Sequence, residues 1–307
     1  SATIGFDHID IDYCNTHNIA WRTAPGCNAQ SVEQYVTASL LTMSQKQKFR
    51  LQDKVIGIVG GGNVGREVAR ACRALGMKVL LNDPPLQEKK ALANLVSLST
   101  IEQEADIITF HTPLTRSGSH PTYHLANDDF FERLDKKPII INSSRGAVVD
   151  NRALIAAIDT KKISGTVIDT WENEPNINEE LLHKVDIATP HIAGYSADGK
   201  WNATRISLEN INNFFHLQRE SINLHSIPQP EKSVIDLINC TADKQIETAI
   251  LHTYNPVSDS DALKRDPAKF SYFRSHYPIR REYKAYRLFN LDAKNEQIAK
   301  VLGFNIE

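Results

Sequence analysis

The sequence predicts an α/β protein built around a doubly wound, parallel sheet. Between residues 53 and 190, six short apolar and β-branched runs alternate with helix-like stretches. Strands of parallel sheets carry such continuous apolar runs because helices cover both faces of the sheet. A glycine-rich turn joins the first run to a helix, which is typical of sheets that bind nucleotides.

The predicted elements follow in chain order. Ser1–Ile4 is predicted as a strand, and Gln30–Phe49 as a helix that Ser31 caps. The six strands of the sheet are predicted at Val55–Val59, Val79–Leu81, Ile107–Phe110, Ile139–Ile141, Thr166–Ile168 and Asp186–Ala188. Helices within this block are predicted at Val64–Leu75, Asp128–Leu134 and Arg152–Ile158. Leu208–Leu217 is predicted as a helix after the sheet.

The C-terminal residues are predicted to form a small α+β module. Ile227–Pro230 contains two prolines and has the composition of a linker. Strand-like runs follow at Ser233–Leu237 and Arg287–Leu291, and a helix-like run at Asn295–Leu302.

Composition and charge exclude several classes of protein. The 307 residues carry a formal net charge of −2, so no overall basic field attracts nucleic acid or an anionic membrane. No apolar run has the length of a membrane span, and the first residues lack the pattern of a signal peptide. The four cysteines have no metal-site spacing, which favours a reducing, cytoplasmic setting.

The glycine-rich turn predicts a dinucleotide site. Gly60, Gly62 and Gly65 form G-x-G-x-x-G directly after a predicted strand and at the start of a helix. The first glycine permits a tight turn, the second lets backbone approach a pyrophosphate, and the third lets the helix pack on the strand. Asn63 and Val64 lie in the same turn, where free N–H groups face the phosphates.

Asp83 predicts that the dinucleotide is NAD rather than NADP. It ends the next predicted strand, eighteen residues after Gly65. A carboxylate at this place accepts hydrogen bonds from the ribose hydroxyls and repels a 2′-phosphate.

Four further loops follow strands of the same sheet, where parallel sheets bind their ligands. Their polar residues are His111 and Thr112 in the first, Ser143, Ser144 and Arg145 in the second, Asp169, Glu172 and Glu174 in the third, and His191 in the fourth. An arginine binds a planar carboxylate through two hydrogen bonds, and a histidine held by an acid moves protons near neutral pH. With NAD, this set predicts oxidation of a 2-hydroxy acid, in which histidine takes the hydroxyl proton as hydride leaves.

The motifs that carry these residues resemble those of the D-isomer-specific 2-hydroxyacid dehydrogenases. They are G-G-G-N-V-G, N-S-S-R-G-A-V-V-D, D-T-W-E-N-E-P and T-P-H-I-A-G. The resemblance implies that Arg145 and Glu174 are catalytic, that His191 is the proton donor or acceptor, and that Arg145 also touches the cofactor. It implies contacts with NAD by Asp83, Thr112, Ser143, Ser144, Asp169 and Gly194. It implies contacts with substrate by Thr3, Arg145, His191 and Tyr195.

Within that family, the resemblance is greater to the branch that oxidises 4-phospho-D-erythronate during vitamin B6 biosynthesis. Its stretches are A-P-G-C-N-A (24–29), F-H-T-P-L (110–114), R-G-A-V-V-D-N (145–151), H-I-A-G-Y-S (191–196) and Y-P-I-R-R-E-Y (277–283). This implies a homodimer formed through a C-terminal domain at residues 229–307. Residues 31–195 are then the NAD-binding Rossmann domain with its connecting helix, and residues 1–30 and 196–228 belong to a flavodoxin-like substrate domain. The family's earlier substrate-domain strands are expected to be missing, which would expose apolar surface and an unpaired edge.

Three alternatives stay open. The substrate is another D-2-hydroxy acid, such as 3-phosphoglycerate or glycerate; or the chain is a non-catalytic NAD-sensing protein on the same fold. Alternatively, the basic and aromatic residues between Lys264 and Lys284 bind a single-stranded nucleic acid. The near-neutral charge of the chain favours a dimer interface over nucleic acid at that segment.

Overall fold

A computed structural model describes residues 1–6, 8–217 and 227–307. Its main sheet has six parallel strands in the order β2-β1-β3-β4-β5-β6, which confirms the predicted fold class. The strands are β1 (Val55–Val59), β2 (Lys78–Asn82), β3 (Ile107–Phe110), β4 (Ile139–Asn142), β5 (Gly165–Ile168) and β6 (Ile187–Ala188). Chain order reverses beside β1, so a crevice opens at the carboxyl ends of β1 and β3.

Helices cover both faces of the sheet. Those up to residue 215 are α1 (Ile11–Thr16), α2 (Ala29–Gln47), α3 (Asn63–Ala74), α4 (Pro84–Glu88), α5 (Leu98–Glu104), α6 (Asp128–Glu132), α7 (Asn151–Asp159), α8 (Glu179–Lys184) and α9 (Ala197–Phe215). The strands of the sheet are almost fully buried, which explains their apolar, β-branched composition. The six predicted strands of this sheet agree with the structure to within one residue at each end.

The predicted N-cap of the long second helix is wrong. Helix α2 begins at Ala29, so Asn28 is its N-cap residue and Ser31 lies within the first turn. The Ser31 hydroxyl donates to the Ala193 carbonyl (2.9 Å) and is fully buried. A serine near the start of a helix often caps it, but the Ser31 side chain instead makes a tertiary hydrogen bond to a distant part of the chain.

The predicted strand at Ser1–Ile4 is also wrong. These residues form no ladder, and the Thr3 carbonyl instead accepts from the Ala24 N–H (2.9 Å). Helix α9, predicted from Leu208, begins already at Ala197 with Ser196 as its N-cap. Apolar side chains are exposed at its end, where Phe214 is 53% and Phe215 62% exposed.

The C-terminal residues form an α+β module, as predicted. Its parallel sheet has the order β7-β8-β9, from β7 (Val234–Asp236), β8 (Arg287–Phe289) and β9 (Asn305–Ile306). Its helices are α10 (Ala242–Thr253), α11 (Pro256–Arg265), α12 (Phe270–Ser275) and α13 (Ala293–Leu302). The module shares one apolar core with α2 and α3, in which Leu288 and Leu302 join Tyr35 and Val68. Across the described ranges, no helix is both long and apolar enough to cross a membrane.

Candidate active site

The glycine turn between β1 and α3 has the geometry that a bound pyrophosphate requires. Gly60 has a φ of 104°, and a Cβ there would lie 2.5 Å from the His111 carbonyl oxygen. A Cβ on Gly65 would lie 1.8 Å from the Gly60 carbonyl oxygen, so only glycine lets α3 approach β1 this closely. A Cβ on Gly62, which precedes α3, would meet no atom within 4 Å, so open space lies in front of the helix. Asn63 and Val64 form the first turn of α3, where the N–H groups are free to face an anion.

Asp83 lies beside this turn, as predicted. One carboxylate oxygen accepts from the Gly61 N–H (2.8 Å), and the other caps α4 at the Leu86 N–H (2.9 Å). These two bonds fix the carboxylate at the end of β2. Each oxygen keeps a lone pair that can accept from a ribose hydroxyl.

The two polar residues of the loop after β3, His111 and Thr112, differ in their hydrogen bonding. The His111 ring faces the sheet, where Nε2 pairs with the Thr109 hydroxyl (2.9 Å). Burial lowers the pKa of His111 to about 3, so the ring is neutral at pH 7. Thr112 has a buried hydroxyl with no hydrogen-bond partner among the described residues.

The loop after β4 is organised by the last residue of that strand. The Asn142 side chain accepts from the Ser144 hydroxyl (2.9 Å) and donates to the Arg145 carbonyl (3.0 Å). Gly146 then lets this loop lie against the backbone of Trp171, since a Cβ would come within 2.0 Å of it. Arg145 directly precedes this glycine, and its guanidinium donates to the Ser144 carbonyl (2.7 Å).

The Asp169 carboxylate stabilises the loop that contains His191 by accepting hydrogen bonds from it. This buried carboxylate accepts from the N–H groups of Ile192 (2.8 Å) and Ala193 (2.9 Å) and from the Thr189 hydroxyl (2.7 Å). Burial raises the pKa of Asp169 above its usual value, while these donors and the nearby His191 oppose that shift. The predicted contact of Asp169 with NAD thus has to share a carboxylate that already holds three donors.

His191 and Glu174 form a hydrogen-bonded pair. His191 Nδ1 lies 2.7 Å from Glu174 Oε2, and Glu174 Oε1 accepts from the Trp171 N–H (2.9 Å). The histidine backbone is left-handed, with a φ of 56°, and its N–H donates to the Asp169 carbonyl (2.7 Å). Because Nδ1 is bonded to the carboxylate, Nε2 is the nitrogen left to exchange a proton.

The two predicted substrate residues outside the sheet differ in their surroundings. Thr3 is exposed and its hydroxyl donates to the Gly5 carbonyl (2.9 Å). Tyr195 is partly buried, and its hydroxyl accepts from Arg274 (3.1 Å) in the C-terminal module. Gly194, just before it, would place a Cβ 2.1 Å from the Asn28 amide nitrogen, so a larger residue would have to displace that side chain at the start of α2.

Sequence reasoning missed the C-terminal residues that hold the histidine loop. Arg280 is buried and donates through one nitrogen to the carbonyls of Ala193 (2.5 Å) and Ile192 (3.2 Å) and to the Ser31 hydroxyl (2.7 Å). Arg281 forms a buried pair with Asp198 at the start of α9 (2.9 Å). These placements bury residues of the segment considered for nucleic acid. The sequence gives one sign of this role, the run of three charged residues Arg280-Arg281-Glu282. Charged residues that become buried need partners of opposite charge or hydrogen bonds.

A second missed group lies beside the active-site loop. His124 has Nε2 3.1 Å from Glu172 and Nδ1 3.5 Å from Asp150, at a cavity of about 410 Å³. The other Glu172 oxygen accepts from the Asn151 N–H (2.9 Å). Glu172 therefore ties α7 to the loop that carries Glu174, and among the acids of that loop it is Glu174 that pairs with the His191 ring.

Buried hydroxyls without partners mark where a cofactor fits. Within the described ranges these include the hydroxyls of Thr112, Ser143 and Thr170, each beyond the carboxyl end of a different strand. A buried hydroxyl that lacks a partner is unfavourable unless a ligand supplies one. Together with the open space before Gly62, they fit a dinucleotide lying along this edge.

The comparisons with known proteins agree with this geometry. The model of the D-isomer specific 2-hydroxyacid dehydrogenase NAD-binding domain matches residues 22–193, more than half of the chain. A second model, described as a domain of unknown function, matches residues 226–303. An erythronate-4-phosphate dehydrogenase of Bacteroides thetaiotaomicron is 49% identical over 95% of this chain and 81% of its own length. One of Porphyromonas gingivalis is 44% identical over 99% of this chain and 82% of its own length.

Solved structures show the same fold. A D-lactate dehydrogenase of Aquifex aeolicus, complexed with NAD and lactic acid, has a TM-score of 0.58 at 27% identity, covering 72% of this chain and 77% of that one. An NAD-dependent formate dehydrogenase of Staphylococcus aureus in complex with NAD has a TM-score of 0.60 at 25% identity, covering 72% of each chain. The chain therefore belongs to the D-isomer-specific 2-hydroxyacid dehydrogenases, and it is an NAD-dependent dehydrogenase.

Proposed function

We propose that the chain oxidises 4-phospho-D-erythronate to 2-oxo-3-hydroxy-4-phosphobutanoate with NAD, in the synthesis of pyridoxal 5′-phosphate. The observation that supports an acid–base role is the His191–Glu174 hydrogen bond of 2.7 Å, which leaves Nε2 for the substrate. The choice of substrate is supported by the names of relatives that are 44–49% identical over nearly the whole chain.

His191 Nε2 accepts the proton of the C2 hydroxyl as that carbon becomes a carbonyl. Glu174 keeps the other ring nitrogen protonated and stabilises the imidazolium that results. Asp169 and Arg280 hold the backbone around the histidine, so the ring is oriented before substrate arrives. In the reverse direction, the same imidazolium returns its proton to the carbonyl oxygen.

Arg145 binds the carboxylate of the substrate through its guanidinium and polarises the reacting carbon. NAD, when bound, supplies the acceptor for the hydride that leaves C2. Gly60, Gly62, Asn63, Val64 and Gly65 would hold its pyrophosphate and Asp83 its ribose. The loops with Thr112, Ser143, Ser144 and Thr170 would contact its other hydroxyl and amide groups, with Asp169 and Gly194 behind them.

The first experiment follows NADH formation by the purified chain with 4-phosphoerythronate, 3-phosphoglycerate or glycerate. We expect kcat/KM to be highest for 4-phosphoerythronate. Preference for either other acid would overturn the proposed substrate. Tight NAD binding without turnover of any hydroxy acid would support the NAD-sensing alternative instead.

We also propose that the chain is a homodimer formed through residues 229–307. The module exposes apolar side chains that a partner copy could cover, among them Ile238 (64% exposed) and Ile279 (63% exposed). Size-exclusion chromatography with light scattering measures the mass of the protein in solution. A monomeric mass at every protein concentration in the micromolar range would contradict this proposal.

A further inference from the structure

Two cations flank Tyr195, and we call these three residues the Tyr195 cluster. Arg274 of α12 donates from Nη2 to the Tyr195 hydroxyl (3.1 Å), and its guanidinium carbon lies 5.5 Å from the ring centre. Lys200, in the first turn of α9, places its ammonium 4.9 Å from the same ring centre. The cluster joins the C-terminal module to the loop that carries His191.

Neither cation of the cluster forms an ion pair within the described residues. Lys200 has no carboxylate within 4 Å, and Arg274 is likewise without one; its buried Nε also lacks a hydrogen-bond partner there. The nearby acids are engaged elsewhere. Asp198 binds Arg281 (2.9 Å), and Asp259 accepts from the hydroxyls of Tyr254 and Tyr277. Two positive charges are therefore left without a negative partner beside Tyr195.

The sheet orders the substrate groups along one line. Arg145 follows β4, Glu174 follows β5 and His191 follows β6, which is the last strand of the sheet order. The Tyr195 N–H donates to the Ile192 carbonyl (2.9 Å), so the chain turns back directly after the histidine. The Tyr195 cluster is thereby tied to the same loop as His191, through Tyr195 four residues further along the chain. For a substrate with its carboxylate on Arg145 and C2 at His191, this cluster is the candidate site for the far end of the molecule.

We infer that Arg274, with Lys200, binds the phosphate of the substrate and makes the site specific for phosphorylated hydroxy acids. This inference rests on the proposed function, because it assumes that a 2-hydroxy acid lies between Arg145 and His191. A phosphate dianion matches two uncompensated cations and the Tyr195 hydroxyl, which can turn to donate to it. A guanidinium suits this task because its fork presents two N–H groups to two phosphate oxygens.

The test compares Arg274→Gln with Arg265→Gln, an exposed arginine of α11 in the same module. For each protein, kcat/KM is measured with 4-phosphoerythronate and with unphosphorylated erythronate. We expect R274Q to lower the phosphorylated-to-unphosphorylated ratio on the order of 10- to 100-fold, mainly through KM. The ratio of R265Q should equal that of wild type, and K200Q should fall between the two variants. An unchanged ratio in R274Q, or equal losses with both acids, overturns the inference.

A second readout separates this inference from the proposed function. If wild type does not oxidise 4-phosphoerythronate, the proposed substrate fails, and inorganic phosphate then tests the cluster alone. We expect phosphate to raise the melting temperature of wild type and of R265Q but not of R274Q. An equal rise in all three proteins, or no rise in any, contradicts a phosphate site at Arg274.

Discussion

His191 owes its orientation to the loop that follows β5 and to Arg280 of the C-terminal module. Its left-handed backbone is strained for a residue with a Cβ, and the Asp169 carbonyl and carboxylate hold the surrounding N–H groups. Glu174, from the same loop as Asp169, fixes the ring, and Arg280 holds the carbonyls of Ile192 and Ala193. A surface histidine needs no such set of contacts, which supports a role in chemistry.

Replacing His191 should remove turnover and spare cofactor binding. We expect His191→Ala to lower kcat by about 10²- to 10⁴-fold, because the variant lacks the imidazole that is proposed to accept the hydroxyl proton. The affinity for NAD should change by less than about threefold, since the contacts expected for the cofactor are elsewhere. His183→Ala, an exposed histidine in α8, is the control and should behave as wild type. Equal kcat in both variants would remove His191 from the mechanism.

His111 should make the fold sensitive to acid. Its pKa falls from 6.5 to about 3 on folding because the ring is buried. As the pH drops below 6.5, the unfolded chain gains a proton that the folded chain does not, so stability is lost in that window by up to about 1.4 kcal/mol per pH unit. Above that range the residue has no effect of this kind.

Urea unfolding near pH 7.5 and near pH 5 measures how much of the pH dependence of the unfolding free energy comes from His111, when wild type is compared with His111→Gln. We expect wild type to lose about 2 kcal/mol more than the variant between the two conditions. His183→Gln serves again as the exposed control and should keep the slope of wild type. If H111Q shows the same slope as wild type, another group causes the acid sensitivity.

The glycine turn between β1 and α3 contains two glycines whose substitution should have different effects. One substitution should lower the stability of the fold, and the other should weaken cofactor binding. Gly65→Ala should destabilise the fold, because its Cβ would meet the Gly60 carbonyl oxygen and push α3 away from β1. Gly62→Ala should leave the fold intact, since its Cβ meets no protein atom, but it should weaken NAD by about tenfold or more by filling the space for the pyrophosphate. Calorimetric binding and melting temperature check both variants. A normal NAD affinity in G62A would place the pyrophosphate elsewhere.

The segment at residues 280–282 also couples the module to the histidine loop, through Arg280. We expect Arg280→Lys to lower kcat by about tenfold or more at unchanged NAD affinity, because the lysine side chain is one bond shorter and its ammonium does not reach the position from which Nη2 holds both carbonyls. Arg287→Lys, whose arginine pairs with Glu307 on the module surface, is the matched control. Arg280→Gln should lose more activity than the lysine variant. A parallel loss of kcat and NAD affinity would indicate general unfolding instead.

The whole molecule shows which parts local sequence patterns can predict. The strands of the main sheet, the glycine turn and the loop residues were predictable because parallel strands and dinucleotide turns leave signals within a few residues. The hydrogen bond from Arg280 to the Ala193 carbonyl could not be predicted in this way, since it joins positions 87 residues apart. Ser31 shows the same limit, because its cap-like position conceals a contact with Ala193. Thr170 was missed because nothing marks it within its acidic loop except its position at a strand end.

One shared core should make the whole chain unfold together. Leu288 of β8 is fully buried in the core that also contains Tyr35 of α2 and Val68 of α3. We expect Leu288→Ala to cost about 2 to 5 kcal/mol and to shift a single urea transition. NAD binding and circular dichroism should be lost at the same urea concentration, although Leu288 is far along the chain from the glycine turn.

Val234→Ala in the neighbouring strand β7 is the control, because Val234 is 46% exposed and its loss should cost about 1 kcal/mol or less. Two separate transitions in L288A, with NAD still bound after the first, would show that residues 229–307 unfold on their own. A single transition at which both signals disappear would mean that the C-terminal module is part of the unit that folds the dehydrogenase site. In that case, a change in the module alters catalysis through the shared core as well as through Arg280.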